Sequence, residues 1–182
     1  MDVPEVVRRL WEKYGLEEKV RGHCIAVAEF ALKIAEEVEK RGQKVDREAL
    51  ILGALLHDIG RAITHDPFEH FLKSAEILRA EGFEEKIVKI AERHFSAGIS
   101  AEEAKKLGLP EKDYIPESLE EKIVSFADNL TFGSAVRDFE SFMRRLNKID
   151  EDYPELSWFT ASTRHRAIQM KEEIEKLSGM RF

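Results

Sequence analysis

The chain has 182 residues, 43% hydrophobic and 36% charged, with 36 acidic against 29 basic side chains and a net charge of -7 at pH 7. That length is ample for one hydrophobic core. The acidic balance argues against a general nucleic-acid-binding surface, the lack of a long apolar run argues against a membrane span, and a lone cysteine cannot form an internal disulfide or a cysteine-rich zinc site.

The pattern is helical nearly throughout, with no Val/Ile/Thr-rich alternating run of strand length. Met1-Asp2-Val3-Pro4-Glu5 lacks the basic and apolar regions of a signal peptide, so the expected compartment is the cytoplasm. Pro4 opens a short helix that Gly15 closes after Tyr14. A second helix is predicted from about Glu17 to Arg41, with Val20, Cys24, Val27, Ala31, Ile34 and Val38 at three/four spacing and His23 beside that stripe. Cys24 on such a stripe reads as inert core packing. Asp46 caps a third helix, whose run Ala49-Leu50-Ile51-Leu52-Gly53-Ala54-Leu55-Leu56 has no polar face and ends in His57-Asp58, with Gly60 as the stop.

A loop from Arg61 to Pro67 carries His65, and a fourth helix is predicted from about Phe68 to Ala80 with His70 in its first turn. The fifth spans about Glu84 to Phe95, and there His94 shares a face with Ile87, Ile90 and Ala91. Ser100 with Glu103, and Ser118 with Glu121, fit capping boxes that start helices six and seven. Asp128 lies one turn beyond Val124 on helix seven, and residues from about Ser134 to Phe182 read as two more helices split near Asp150 to Pro154. Phe139, Phe142, Trp158 and Phe159 are expected in the core. Asn occurs only at 129 and 147 and Gln only at 43 and 169, which with the high charge suggests a thermophilic source.

Singly, each histidine or aspartate has an ordinary structural explanation: a satisfied core imidazole, a helix cap, an ion pair. Together, His23, His57, Asp58, His70, His94 and Asp128 place imidazoles and carboxylates on core-facing positions of separate helices, which is how all-α proteins build metal sites. Nitrogen and hard-oxygen ligands without thiolate suit Fe, Mn, Ni, Zn or Mg in a catalytic rather than a structural role.

The order His23, His57-Asp58, Asp128 resembles the HD-domain superfamily of metal-dependent phosphohydrolases. Gly53-Ala54-Leu55-Leu56-His57-Asp58-Ile59-Gly60-Arg61 is similar to the family's central motif and Ala127-Asp128-Asn129-Leu130 to its last one. The likeness covers about Glu17 to Leu130 and implies an all-α bundle, here one domain over 1–182 with extra C-terminal helices over about 134–182. It is nearest in kind to small stand-alone HD proteins common in archaea. HD-type dinucleoside-tetraphosphate hydrolases carry two further histidines that map onto His70 and His94, although Ser74 stands where related sequences often have Gly. The Gly-Tyr-Pro motif of cyclic-dinucleotide enzymes is absent.

The resemblance implies that His23, His57, Asp58 and Asp128 hold one divalent metal, and that Asp58 can bridge to a second held by His70 and His94. Metal-activated water would then hydrolyse a phosphomonoester, phosphodiester or phosphoanhydride of a small metabolite, most plausibly a nucleotide. Arg61 can grip phosphate and His65 can donate to it or protonate a leaving oxygen, while Arg93 and Lys122 should turn away from the ligands. A non-catalytic nucleotide-binding module and, against the charge, an HD nuclease are the alternatives. The C-terminal helices could pack on the core, close the pocket or form a homodimer interface.

Overall fold

The computed structural model describes residues 1–182, which form nine α-helices and one very short hairpin. Helix α1 (Glu5–Tyr14) follows Pro4 and ends at Gly15, which sits at φ +69 where a side chain would be strained. It docks through Val7, Leu10 and Trp11, and the Trp11 indole donates to the Leu55 carbonyl at 3.2 Å. Helix α2 (Glu18–Lys40), one residue shorter at each end than predicted, buries Cys24, Val27, Ala31, Ile34 and Val38 along one stripe.

Helix α3 (Arg47–Leu56) is the central strut, packed against α2 on one side. Asp46 caps it by accepting from the Ala49 N–H at 3.0 Å. Its apolar run from Ala49 is buried at Ala49, Leu50, Gly53, Ala54, Leu55 and Leu56, whereas Ile51 and Leu52 are only partly covered, so the helix is not enclosed on every side. A methyl group at Gly53 would lie 2.6 Å from Ile90, so the missing side chain is what lets the fifth helix come so close.

The chain then makes a 3-10 turn (Ile59–Ala62) before α4 (His70–Ala80) and α5 (Glu85–Arg93). Gly60 does not stop a helix as expected: α3 has already ended at Leu56, and Gly60 lies inside the turn. Its backbone instead abuts α4, where its N–H donates to the Ser74 hydroxyl at 2.8 Å.

Helix α6 (Ala101–Lys106) starts with the capping box of Ser100 and Glu103. Helix α7 (Leu119–Leu130) forms only half of the second one: Ser118 accepts from Glu121 N, but the Glu121 carboxylate turns to Arg93 and the Glu117 N–H. An antiparallel hairpin of β1 (Thr131–Phe132) and β2 (Ala135–Val136) follows, too short to leave an alternating pattern. Helices α8 (Phe139–Asp152) and α9 (Ser157–Ser178) complete the chain. Phe142, Leu146, Ala167, Met170 and Ile174 join the same hydrophobic core as α2, α3 and α7.

Candidate metal centre

Five elements deliver side chains to one point. His23 comes from the middle of α2, His57 and Asp58 from the end of α3, His70 from the first turn of α4, His94 from the residue after α5, and Asp128 from α7. His57, His70 and His94 are at most 1% exposed, Asp58 is 4% exposed, and His23 and Asp128 open partly to solvent.

Each imidazole is fixed by a backbone carbonyl. The Nδ1 of His57 lies 2.6 Å from the Ala54 carbonyl, that of His94 2.7 Å from Ala91, that of His23 2.7 Å from Gly133, and that of His70 3.3 Å from Asp66. A carbonyl can only accept, so Nδ1 carries the proton and Nε2 presents its lone pair. All four lone pairs then meet negative or lone-pair atoms. His23 Nε2 is 2.9 Å and His57 Nε2 3.5 Å from Asp128 Oδ1. His70 Nε2 is 3.2 Å and His94 Nε2 3.5 Å from Asp58 Oδ1, and the two Nε2 atoms are 3.2 Å apart.

Facing lone pairs at that spacing repel unless a cation or proton lies between them. His57 Nε2 and Asp58 Oδ1 are also buried without a hydrogen-bond partner. A divalent cation satisfies both conditions, and the nitrogen and oxygen donor set suits one. The ligand atoms fall into overlapping groups, including His23–His57–Asp58 and Asp58–His70–His94, each spanning no more than 4.8 Å. Asp58 belongs to both. Burial alone would raise the carboxyl groups, yet a proton on the facing imidazoles, the other way to part these lone pairs, holds Asp58 and Asp128 well below the usual carboxylate range. Burial keeps His94 below the usual imidazole value, despite Asp58 nearby.

Arg61 lies in the 3-10 turn, where its Nε donates to Asp58 Oδ2 at 2.7 Å, and it lines the cleft. His65 is not drawn into the cluster. It stands at the rim, with its side chain 64% exposed and its Nε2 3.1 Å from Glu17. Arg93 and Lys122 point away as expected, to Glu117 with Glu121 and to Glu173. Cys24 is a buried free thiol, and burial raises its pKa.

A cleft of about 810 Å³ opens over the cluster, and much of its wall comes from residues with no chemical signal in the sequence. One face of α8 lines it through Phe142, Arg145, Leu146 and Ile149, with Tyr153 just beyond. Phe142 and Phe159, expected as core alone, are buried but also border the cleft. Arg145 stacks on Phe132 at 5.1 Å instead of pairing with a carboxylate, and the β1–β2 turn supplies the Gly133 carbonyl that orients His23.

The turn after His94 is strained. Ser96 and Ala97 adopt φ of +55 and +61, which costs a non-glycine residue about 1–2 kcal/mol each. It is held by Ser125 donating to the His94 carbonyl at 2.8 Å, by Ser96 and Thr163 hydroxyls at 2.8 Å, and by Arg166 donating to the Gly98 carbonyl at 2.8 Å. Nothing in Ser-Ala announces a left-handed turn, so this support was not visible in the sequence.

Helices converging four imidazoles and two carboxylates on one buried point define an all-α, metal-ready protein. The HD domain family matches residues 20–133, and the chain belongs to that family, whose members are typically metal-dependent hydrolases. It is 45% identical over 161 residues to uncharacterized protein MJ0778 of Methanocaldococcus jannaschii, covering 88% of this chain and 90% of that one. A tRNA (cytidine(56)-2'-O)-methyltransferase of Picrophilus torridus is 44% identical over 121 residues, and ribonuclease Y of Thermosipho melanesiensis 31% identical over 155. These matches cover 66% and 81% of this chain but only 34% and 26% of the two relatives. The HD domain of Listeria monocytogenes phosphodiesterase PgpH, solved in complex with cyclic-di-AMP, superposes with a TM-score of 0.56 at 17% identity, over 97% of this chain and 95% of that one. That likeness is one of fold. No helix is long and apolar enough to cross a membrane.

Proposed function

We propose that this protein hydrolyses a phosphoester or phosphoanhydride bond of a small nucleotide, using one or two divalent cations. The observation that carries the reading is Asp58, shared between two histidine groups whose Nε2 lone pairs all converge. Bound divalent cations would supply Lewis acidity and lower the pKa of water to near neutrality. His23, His57, Asp58 and Asp128 would hold one, and Asp58, His70 and His94 a second, drawn from Fe, Mn, Ni, Zn or Mg.

The protein's own groups supply the rest. Arg61 fixes Asp58 through Nε and offers its Nη donors to phosphate oxygens. Lys19 and Arg145 add positive charge to a cleft that also holds Glu17, Asp58 and Asp128. A leaving group that reaches the rim meets His65, whose Nε2 is held by Glu17, as its proton donor. The buried floor excludes water from all but the cleft side of the cluster.

The names of the ribonuclease Y and PgpH relatives support a nucleotide substrate, since RNA and cyclic-di-AMP share nucleotide phosphodiesters. The same names favour a second reading, cleavage within an RNA strand. The -7 charge supports the shorter substrate. The complete ligand set weighs against a non-catalytic module.

The test is elemental analysis of chelator-free protein, followed by a panel of nucleotides, bis(p-nitrophenyl) phosphate, cyclic dinucleotides and a short oligoribonucleotide. Hydrolysis should be metal-dependent and fall at least about a hundredfold in Asp58→Asn. Protein that binds no metal after reconstitution with Mn or Fe, or an Asp58→Asn variant as active as wild type, would overturn the proposal. Preference for the oligoribonucleotide would move the second reading to the front.

A further inference from the structure

The cleft has an aromatic side that phosphate chemistry does not use. Phe68 and Phe95 are only partly buried, lie 5.7 Å apart edge to face, and border the cleft. Phe95 is 5.4 Å from the ring of His70, so this surface starts immediately beside the metal-ready cluster. Tyr153, at the end of α8, contributes a ring that is 54% exposed and lines the same cleft.

Aromatic clusters between helices are ordinarily core, and here Phe71 and Phe159 do that work at 0% and 5% exposure. Phe68 and Tyr153 differ in lining the cleft while only partly buried and exposed respectively, whereas Phe95 stacks on Phe71 at 5.8 Å and on Phe159 at 6.3 Å and so backs Phe68 from the core side. An aromatic surface left uncovered inside a concave site is a stacking platform for a flat ligand group. The opposite requirement, for an anion, is met in the same cleft by Lys19, Arg61 and Arg145. A ligand that satisfies both is a phosphate joined to an aromatic heterocycle, whereas a sugar phosphate would leave the rings wet. The cavity's 810 Å³ has room for a nucleotide.

We infer that Phe68 and Tyr153, the former backed by Phe95, form a base-binding shelf that makes this protein select base-bearing phosphoesters over sugar phosphates. The inference rests on the phosphohydrolase reading for where the phosphate lies. The shelf reads the flat face of the base and not its edge, so it favours purines over pyrimidines through stacking area rather than sequence. Arg145, stacked on Phe132, provides donors beyond the shelf for the base edge or a second phosphate.

The experiment is calorimetric titration of the purified full chain at low temperature with AMP, GMP, CMP, UMP and ribose 5-phosphate. Wild type should bind the purine nucleotides about tenfold or more tightly than ribose 5-phosphate, the size expected of one stacked base. Phe68→Leu and Tyr153→Leu keep apolar bulk but remove the π face, and together they should abolish that advantage. Ribose 5-phosphate affinity and metal content should not change. Tyr153→Leu alone, at an exposed position, should halve the advantage or better and guards against misfolding of the double variant.

Equal affinity for ribose 5-phosphate and every nucleotide, or an undiminished nucleotide advantage in folded variants, would overturn the shelf. The two proposals fail separately. Nucleotide preference without hydrolysis of any phosphoester keeps the shelf and sinks the hydrolase, whereas indiscriminate hydrolysis of sugar phosphates and nucleotides does the reverse.

Discussion

Replacing Gly60 with alanine should damage half of the metal cluster while leaving the other half in place. A methyl group there would lie 2.0 Å from the His70 carbonyl oxygen and 2.5 Å from the Ser74 nitrogen, where ordinary contact begins near 3.4 Å. Both atoms are backbone, so no rotamer change relieves the overlap, and the start of α4 must move away by more than an ångström. The shift also breaks the Gly60 N–H bond to the Ser74 hydroxyl. Overpacking of this kind costs about 1–3 kcal/mol and the lost hydrogen bond about 1 more. For a chain of this size that is a fall of roughly 5–15 °C in melting temperature. The local consequence is sharper: His70 rides on the displaced turn, so the Asp58–His70–His94 group loses its geometry. His23, His57 and Asp128 sit on α2, α3 and α7, which the clash does not touch. Elemental analysis should find one equivalent of metal fewer in Gly60→Ala than in wild type. Gly22→Ala is the control, because nothing lies within 4 Å of its new methyl group and helix propensity predicts a slight gain in stability. A Gly60→Ala protein with wild-type metal content and melting temperature would refute the reasoning.

Other perturbations read different parts of the structure. Saturating the cluster with Mn at about a hundred times its dissociation constant should add roughly 2.7 kcal/mol, seen as a rise of several degrees in melting temperature, and a chelator should reverse it. No shift with any divalent metal would remove the metal assignment. Burial would raise the Glu103 pKa, but Arg166 at 2.8 Å and the Ser100 N–H hold it below the usual glutamate value. Its carboxylate therefore stabilises the fold fully above about pH 4.3 and loses that contribution as pH falls through the lowered folded-state value. Glu103→Gln should cost roughly 1–3 kcal/mol at pH 7 by urea unfolding, with the gap to wild type closing as pH falls through that lowered value. A gap independent of pH would mean that the charge is not what matters. Arg61→Met should lower kcat/KM by roughly a hundredfold, with Arg61→Lys recovering only part because a lysine cannot hold Asp58 and phosphate with one planar fork. Full activity in Arg61→Met would show that the guanidinium only braces the turn.

The helices were legible because their local signals agree with their packing. Asp46 and Ser100 cap where expected, and most of the apolar run of α3 is buried. The cluster was visible for a related reason: histidine and aspartate on core-facing positions contradict the surrounding pattern. The cleft wall carries no such contradiction. Phe142, Leu146 and Ile149 recur at helical spacing, and that periodicity is the same whether a face is covered by protein or by a ligand. Arg145 and Tyr153 on the same face break the apolar pattern, and were the available clue. Gly60 was misread because a glycine near a helix end usually marks the stop, whereas here it permits two backbones to touch. The turn at Ser96–Ala97 left no trace because tertiary hydrogen bonds, not local propensity, impose its conformation.

The family match ends at residue 133, but the work of the site does not. Helix α8 lines the cleft, while Thr163 and Arg166 on α9 hold the strained turn that follows His94. The C-terminal helices therefore bear on both substrate fit and ligand placement. On the proposed reading, the residues that would hold metal lie in the part that matches the HD family, whereas Arg145 and Tyr153, which would select among phosphoesters, lie outside it.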